Sequence, residues 1–535
     1  MNPQPDRCQV AVIGSGFAGS LLARILARQG YQVVLLERGR HPRFAIGESS
    51  TPLAALSLER LADRYDLPDL RALAAHGRWL EQFPALRRGL KRGFTFYHHT
   101  PGQPYRNAPD NPSRLLVAAS PNDAIADSHW LREDVDRHFV SQAIATGVDY
   151  RDQADVRTVV TGGEGAILRG RRNGAEFVLR AGMVVDASGP AGVIRRQLGI
   201  DSALGRLKTR SALLFSHFDD VRLFAEVASA GGAAMPEGPY PDDWAAVHHC
   251  FDGGWIYQLR FDHGTVSAGA LLSPGAVNDI GADRLNRSPG DAWEQLGRRY
   301  PSLGEQMAGA VPRFPIRFQR RVQHRMARAT GPGWLALPHT FAFVDPLFST
   351  GIAWSLLGVE RLALAFESPE ARRTGHPGRS DLSRYEALLQ AEADQIDRLI
   401  HGAYRALGDF DLFAQHALLY FATVSYAEVR QRLVQADAWA WSGFLGVGDP
   451  VLEPVFAGSA RRIARLRRTG ITAANRRAYA DWVRAAIGPR NIAGLAEPAR
   501  RNLYPVDLDI LVERAALLGL EPEQVIAALP RLRGN

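Results

Sequence analysis

Val10-Ala11-Val12-Ile13 is a short apolar run with β-branched residues, which predicts a strand buried on both faces. Gly14-Ser15-Gly16-Phe17-Ala18-Gly19 follows it. Leu21 to Ala27 then sets apolar residues at three- and four-residue intervals, the spacing of a helix that Gly30 ends. Tyr31 to Leu36 predicts a second strand closing on Glu37, and Gly182 to Asp186 a further buried strand before the turn Ala187-Ser188-Gly189-Pro190. Residues 156–180 alternate apolar and polar around glycine-rich turns, as hairpin strands do. Ser211–Phe215, Trp255–Leu259 and Val266–Ala270 predict a largely antiparallel sheet in a separate layer, and Trp334–Leu337 a strand that returns to the first sheet. From Gly351 through Trp354, Leu356, Leu357 and Val359 the pattern is helical. From about 380 it stays helical to the end, around an aromatic cluster (Trp439, Trp441, Phe444) and breaks at Pro450 and Pro454. This tail is expected to complete the core as a helical cap, with a lid over a substrate channel as the other reading.

Length and composition narrow the class. A chain of 535 residues exceeds what one hydrophobic core sustains, so two or three packed domains are expected. Apolar content of 46% with 22% charged residues is that of a soluble globular protein. Two cysteines, Cys8 and Cys250, provide no disulfide framework and fit a reduced, cytoplasmic setting. Met1 to Gln9 has no signal-peptide pattern, and the apolar stretch Trp334–Val359 is interrupted by Pro338, Asp345, Pro346 and Gly351, so no membrane span is expected. The net charge of +8 comes from arginines dispersed along the chain, which favours an anionic cofactor over nucleic acid. No metal site is expected. Among 64 basic residues only Lys91 and Lys208 are lysines. Lysine, unlike arginine, loses its proton when buried, so each asks for a reason; Lys208 reads as an ordinary surface residue at a strand edge.

The first strand, turn and helix carry a G-x-G-x-x-G fingerprint. Gly14 permits the turn, Gly16 lets the backbone approach a pyrophosphate, and Gly19 lets helix and strand pack closely. The helix start at Phe17 and Ala18 offers amides and a positive dipole end to phosphates. Glu37, followed by Arg38, is placed to accept from a ribose hydroxyl. Asp186 stands before a turn of the kind that meets a nucleotide. The segment Phe343-Val344-Asp345-Pro346-Leu347-Phe348-Ser349-Thr350-Gly351 implies a chain that folds back onto one large cofactor, FAD rather than NAD.

With these motifs the chain resembles the flavin-dependent halogenases, most closely the branch acting on free phenolic compounds. The resemblance rests on Gly47-Glu48-Ser49-Ser50-Thr51-Pro52, on Gly89-Leu90-Lys91-Arg92-Gly93-Phe94-Thr95-Phe96, on His129-Trp130-Leu131-Arg132 with the residues after it, and on F-x-x-P-x-x-S-x-G at Phe343, Pro346, Ser349 and Gly351. It covers roughly residues 8–360 and includes a flavin-side loop, Leu337-Pro338-His339-Thr340, without the usual Gly-Asp pair. Two departures stand out. The family's G-W-x-W-x-I-P is here Gly254-Trp255-Ile256-Tyr257-Gln258-Leu259-Arg260, and Phe348 replaces the glutamate of the tryptophan-specific enzymes, so free tryptophan is not the expected substrate.

The resemblance implies an α/β fold. A Rossmann-like FAD-binding domain of the glutathione-reductase/hydroxylase type spans 1–205, with 325–365 returning to it and a substrate-side insertion at about 45–125. A mainly antiparallel β-sheet substrate domain spans 206–324, interleaved with it, and a helical C-terminal region spans 366–535. FAD would meet Gly14, Gly16, Phe17, Ala18, Gly19, Glu37, Arg38, Ser49, Ser50, Thr51, Arg132, Asp186, Asp345, Gly351 and Ile352. Amides near Ser349, Thr350 and Gly351 would hold chloride or bromide, since a turn into a helix N-terminus concentrates donors. Tyr97, His98, Trp255 and Phe348 would face the substrate, with Tyr97, His98, His99, His248 and His249 as candidates to orient or deprotonate a phenol.

The implied chemistry uses FADH2 from a separate NAD(P)H-flavin reductase, O2, a flavin C4a-hydroperoxide, and hypohalous acid relayed to Lys91 beside the arene, as in antibiotic and other secondary-metabolite biosynthesis. The alternative is a single-component FAD- and NAD(P)H-dependent aromatic hydroxylase; a flavin-carrying protein without turnover is a third reading. The arene, free or carrier-bound, and the state of assembly, monomer or homodimer, stay open.

Overall fold

The computed structural model describes residues 6–434 and 439–533. Its first sheet is built from the near-continuous apolar runs. Asp6–Ile13 pairs in parallel with Val33–Leu36 on one side and Ala175–Asp186 on the other; Trp334–Ala336 and Asp149–Arg151 extend the parallel order outward. Val10, Ala11, Val12, Val184 and Val185 have no exposed surface or almost none, as strands covered on both faces require. The two stretches read separately as a hairpin strand and a buried strand are one strand, Ala175–Asp186. It runs through Gly182, whose lack of a side chain suits the close parallel strand Asp6–Ile13: a Cβ there would lie 2.9 Å from the Gln9 carbonyl oxygen.

The second sheet is mainly antiparallel and lies beside the first. Its ladder runs Ala212–Asp219, Val266–Leu272, Gly254–Arg260, Ala246–Phe251, Gly93–His98, Arg114–Ala118, Leu503–Tyr504. The sequence reading groups residues 45–125 with the first domain, yet Gly93–His98 and Arg114–Ala118 hydrogen-bond within this second sheet, the former in parallel with Ala246–Phe251. Two further differences have local causes. Ala246–Phe251 escapes pattern reading because His248 and His249 interrupt its apolar run, although both are buried. Leu503–Tyr504 is a two-residue strand inside a tail that reads as helical.

The tail is otherwise helical: Arg379–Ala406, Phe410–Leu433, Glu453–Thr469 and Ala473–Ile487 are its longer members. Pro454 starts a helix, at its first turn, where a missing N–H costs nothing. Of the aromatic cluster, Phe444 is buried and the Arg384 guanidinium lies 4.5 Å from the Trp441 ring centre; the Trp439 side chain lies outside the described residues. Lys208 is exposed, ahead of the strand Ala212–Asp219.

Two contacts fix the elements that matter most below. A short ladder pairs Arg88–Lys91 with Asp127–Trp130, and it presses so closely on the second sheet that a Cβ at Gly89 would lie 1.9 Å from the Arg260 carbonyl oxygen. The helix Thr350–Glu367 is clamped to the tail by a fully buried ion pair, Arg361 Nη2 to Glu392 Oε1 at 2.6 Å. Glu392 also accepts from Trp354 Nε1 and from the Phe444 amide, each at 2.8 Å.

Gly89→Ala is expected to destabilise the protein by about 3 kcal/mol, because the obstacle is backbone and cannot rotate away, whereas Gly205→Ala, with nothing within 4 Å of the added Cβ, should leave the thermal midpoint unchanged. Glu392→Gln leaves Arg361 buried without a countercharge and should cost about 3–5 kcal/mol. Differential scanning calorimetry reads both.

Candidate functional site

Two cavities meet at one wall. The larger, about 640 Å³, runs from the fingerprint turn to the turn before Thr350–Glu367. Gly14, Gly16, Phe17, Ala18 and Gly19 line one end, with Glu37, Arg38 and Arg132. Ser49, Trp255, Ser349, Gly351 and Ile352 line the other.

The glycines have separable causes. Gly14 has φ +104° and a Cβ there would lie 2.5 Å from the Ala187 carbonyl oxygen; a Cβ at Gly19 would lie 2.2 Å from the Gly14 oxygen. Both are required by the protein itself. Gly16 is not: its φ is −66° and the nearest atom to an added Cβ is Arg132 Nη2 at 3.6 Å. Its missing side chain keeps open a cradle at the helix N-terminus. Gly351 likewise opens on empty space, with nothing within 4 Å of a Cβ.

Charge around the larger cavity is mixed and organised. Arg43, Arg132 and Arg196 line it. Glu37 Oε2 accepts from the Ser15 amide and hydroxyl, and Oε1 accepts from the Gly39 amide. Burial pushes the Glu37 carboxyl up, but Arg43 and these hydrogen bonds outweigh it and hold its pKa below the usual value. Arg132 donates to the Ile46 and Gly47 carbonyls and to Asp136, which also takes the Phe17 amide. Arg132 thereby ties the helix after it to the Gly47-Glu48-Ser49 segment.

Two acids named above as cofactor contacts turn elsewhere. Asp186 is wholly buried and accepts from the Ser188 amide, the Ser188 hydroxyl and the Ile194 amide, so it shapes the turn whose Ala187 and Ser188 line the cavity. Asp345 accepts from Ser211 Oγ at 2.7 Å and Tyr404 Oη at 2.9 Å. It ties the second sheet and the tail to the turn that presents Ser349. Ser349 itself has φ +52° and precedes the helix; Thr350 is buried behind it.

The smaller cavity, about 190 Å³, is walled by Thr51, Phe94, Asp127, Tyr420, Phe421 and Phe444, and by Leu495, Tyr504 and Leu511 of the tail. The tail therefore both packs into the core and walls this cavity. None of the four residues expected to face a substrate lines this cavity. Tyr97 donates to Asp242 at 2.6 Å, His98 faces the Leu407 carbonyl, and Trp255 lines the larger cavity. Phe348 stands behind the smaller cavity, stacked on Tyr420 at 4.8 Å. His99 and His249 bond to each other at 3.0 Å. His248 lines the larger cavity, and burial drives its pKa down to about 3, which keeps its ring neutral.

Lys91 stands in the wall between the two cavities. It is fully buried, and its Nζ donates to the Ser50 carbonyl oxygen. Ser49 lines the larger cavity and Thr51 the smaller, so this contact falls on the residue between. The ammonium lies 4.1 Å from the ring centre of Phe94, which lines the smaller cavity, and Phe94 stacks at 5.8 Å on His248, which lines the larger. The wall is held as an extended strip: Trp130 N donates to Glu48 O at 2.6 Å and Ser50 N to Ser128 O at 3.3 Å. Burial pulls the lysine pKa down, and the carboxylate of Asp127 opposes that shift.

The sequence profile of the tryptophan halogenase family matches residues 129–409, and that of an NAD(P)-binding Rossmann-like domain matches residues 12–52. The chain is 29% identical over 433 residues to monodechloroaminopyrrolnitrin halogenase PrnC of Pseudomonas fluorescens, covering 80% of this chain and 73% of that protein. It is 27% identical over 406 residues to tetracycline 7-halogenase of Kitasatospora aureofaciens, covering 76% and 71%. Its fold is similar to that of halogenase PltM in complex with phloroglucinol and FAD, with TM-score 0.82 and 23% identity over 93% of this chain and 99% of that one. The flavin-dependent brominase Bmp2 superposes with TM-score 0.62 at 18% identity over 86% and 99%.

Proposed function

The chain belongs to the tryptophan halogenase family, whose profile spans more than half of it, and we propose that it halogenates a small phenolic arene with FADH2, O2 and chloride or bromide. The observation that carries this reading is the position of Lys91, buried in the wall between a dinucleotide-sized cavity and an aromatic-lined smaller one.

The larger cavity fits FAD. The open cradle at Gly16 leaves room for a pyrophosphate, Arg43, Arg132 and Arg196 bring positive charge, and Glu37 stands at the strand end where a ribose hydroxyl is met. Bound reduced FAD, with O2 and a halide, supplies hypohalous acid. The protein's part in this begins at Ser349 and Gly351, where a turn into a helix start offers amides to the halide. The Asp345 carboxylate is held by Ser211 and Tyr404 and does not compete there.

Lys91 then serves as the relay. One of its three donors is taken by Ser50 O, and the remaining donors polarise the oxidant's oxygen as it passes the wall. Arginine is a poor substitute because its planar fork neither deprotonates nor makes a compact point contact. The apolar surroundings of Phe94, Phe348 and Tyr420 keep water from consuming the oxidant. The smaller cavity takes a single aromatic ring against Tyr420 and Phe421; PltM, a structural neighbour, binds phloroglucinol. A separate NAD(P)H-flavin reductase is the proposed source of FADH2.

Lys91→Ala should give no halogenated phenol when supplied with FAD, reductase, NADH and bromide, while hypohalous acid still appears and is caught by a scavenger. Normal halogenation by this variant, read by mass spectrometry, would overturn the assignment. Gly16→Val should fold normally, because its Cβ meets no backbone, yet weaken FAD retention about a hundredfold or more by filling the cradle. Fluorescence titration with FAD checks this.

A further inference from the structure

Four carboxylates line the smaller cavity, and three are engaged. Glu59 pairs with Arg78 and Arg432, Glu428 pairs with Arg432, and Asp507 pairs with Arg500 and caps the helix Leu508–Glu513. Asp127 is the exception. Its carboxylate has no hydrogen bond or ion pair with any described residue, and its Oδ2 is sealed from solvent without a partner. The residue is 5% exposed and what it meets is the cavity. Its strand register sets it directly opposite Lys91, on the same face of the ladder, yet Lys91 spends its hydrogen bond on Ser50 O instead. A buried carboxylate left bare is costly, and the cost is recovered when a donor arrives.

Resting on the halogenase reading above, we propose that Asp127 is a catalytic base: it accepts the substrate's phenolic hydroxyl and takes its proton as the ring is halogenated. A cationic amine is a worse match, since Lys91, Arg78 and Arg432 already surround the site. The histidines considered above do not face this cavity. In the step, the phenol O–H proton moves to Asp127 and a ring carbon bonds the halogen as the halogen–oxygen bond of hypohalous acid breaks. The departing hydroxide takes a proton from the Lys91 ammonium and leaves as water. The neutral amine removes the ring proton, and Asp127 returns its proton to the halophenolate. The sum is phenol plus hypohalous acid giving halophenol plus water.

The groups facing Asp127 are Lys91 on the partner strand and Tyr420, Glu428 and Arg432 on the helix Phe410–Leu433. Burial pushes the Asp127 carboxyl up, with the Lys91 ammonium opposing. A raised carboxyl favours folding at low pH, and that advantage is lost as pH rises through the folded-state value. A neutral residue here removes that desolvation cost at neutral pH together with the countercharge that Lys91 meets across the ladder, and the two effects oppose each other.

The test compares Asp127→Asn with wild type on 4-methylphenol, which is neutral in the assay, and 4-nitrophenol, which is largely ionised beforehand. The expected loss is about a hundredfold for 4-methylphenol and under about fivefold for 4-nitrophenol, with the 4-methylphenol rate of the variant rising tenfold per pH unit towards that phenol's own pKa. The thermal midpoint at neutral pH should stay close to that of wild type, since the relieved burial of Asp127 and the lost countercharge of Lys91 offset each other. Asp127→Ser repeats the test if the asparagine variant does not fold. Equal losses on both phenols, or a midpoint well below wild type, overturn the proposal alone. A wild type that halogenates neither phenol overturns the functional reading, and this proposal with it.

Discussion

A buried ammonium held in a partition is the constraint on which the rest of the structure depends. Lys91 has no exposed surface and no carboxylate within ion-pairing distance among the described residues, only the Ser50 carbonyl and the face of Phe94. Burial disfavours such a charge, and the Asp127 carboxylate across the ladder opposes that effect. The strand that carries it is pinned at both ends, by Asp262 N to Arg88 O and Arg92 N to Trp244 O, each at 2.7 Å, and pressed against Arg260 in its middle at Gly89. The Glu48–Ser50 strip is bonded to the facing edge at Ser128 and Trp130. Wall and lysine thus come from segments that one short ladder joins.

That ladder also explains why the two sheets interlock. The first sheet, with its fingerprint turn, and the strands Ala246–Phe251 and Gly254–Arg260 of the second build one cavity; the other lies between the edge of the second sheet and the helical tail. The Gly89–Phe96 segment passes through the wall and then enters the second sheet as the strand Gly93–His98. Asp345 fastens the Ser349 turn to the second sheet through Ser211 and to the tail through Tyr404. A single motif therefore presents backbone to the larger cavity and a carboxylate to the structure behind it.

How much of this the sequence disclosed follows the range of the interaction. The fingerprint is local: strand, glycine turn, helix and Glu37 lie within one βαβ unit, and two of its glycines have their reason in contacts a few residues away, Gly19 with Gly14, or across one strand pair, Gly14 with Ala187. Lysine scarcity drew attention to Lys91 without structural knowledge. Asp127 gave no comparable signal, since its meaning arises from facing Lys91 across a ladder and facing a cavity closed by distant residues such as Tyr420, Glu428, Leu495 and Leu511. Asp186 and Asp345 read as ligand contacts because acids beside a nucleotide-binding turn invite that reading; in the structure their carboxylates accept from Ser188, Ile194, Ser211 and Tyr404, partners that no local pattern announces. The histidines in Ala246–Phe251 read as chemistry and break the pattern of a strand, but the strand's burial leaves His248 neutral and His249 paired with His99.

The proposed relay requires the oxidant to cross from one cavity to the other through the protein and never through bulk water. Turnover of a phenol by the wild-type enzyme in the presence of increasing methionine, a fast scavenger of hypohalous acid, measures this directly. The account predicts a yield of halogenated phenol that holds constant at large scavenger excess. A yield that falls in proportion to the scavenger would place the oxidant outside the protein and contradict it.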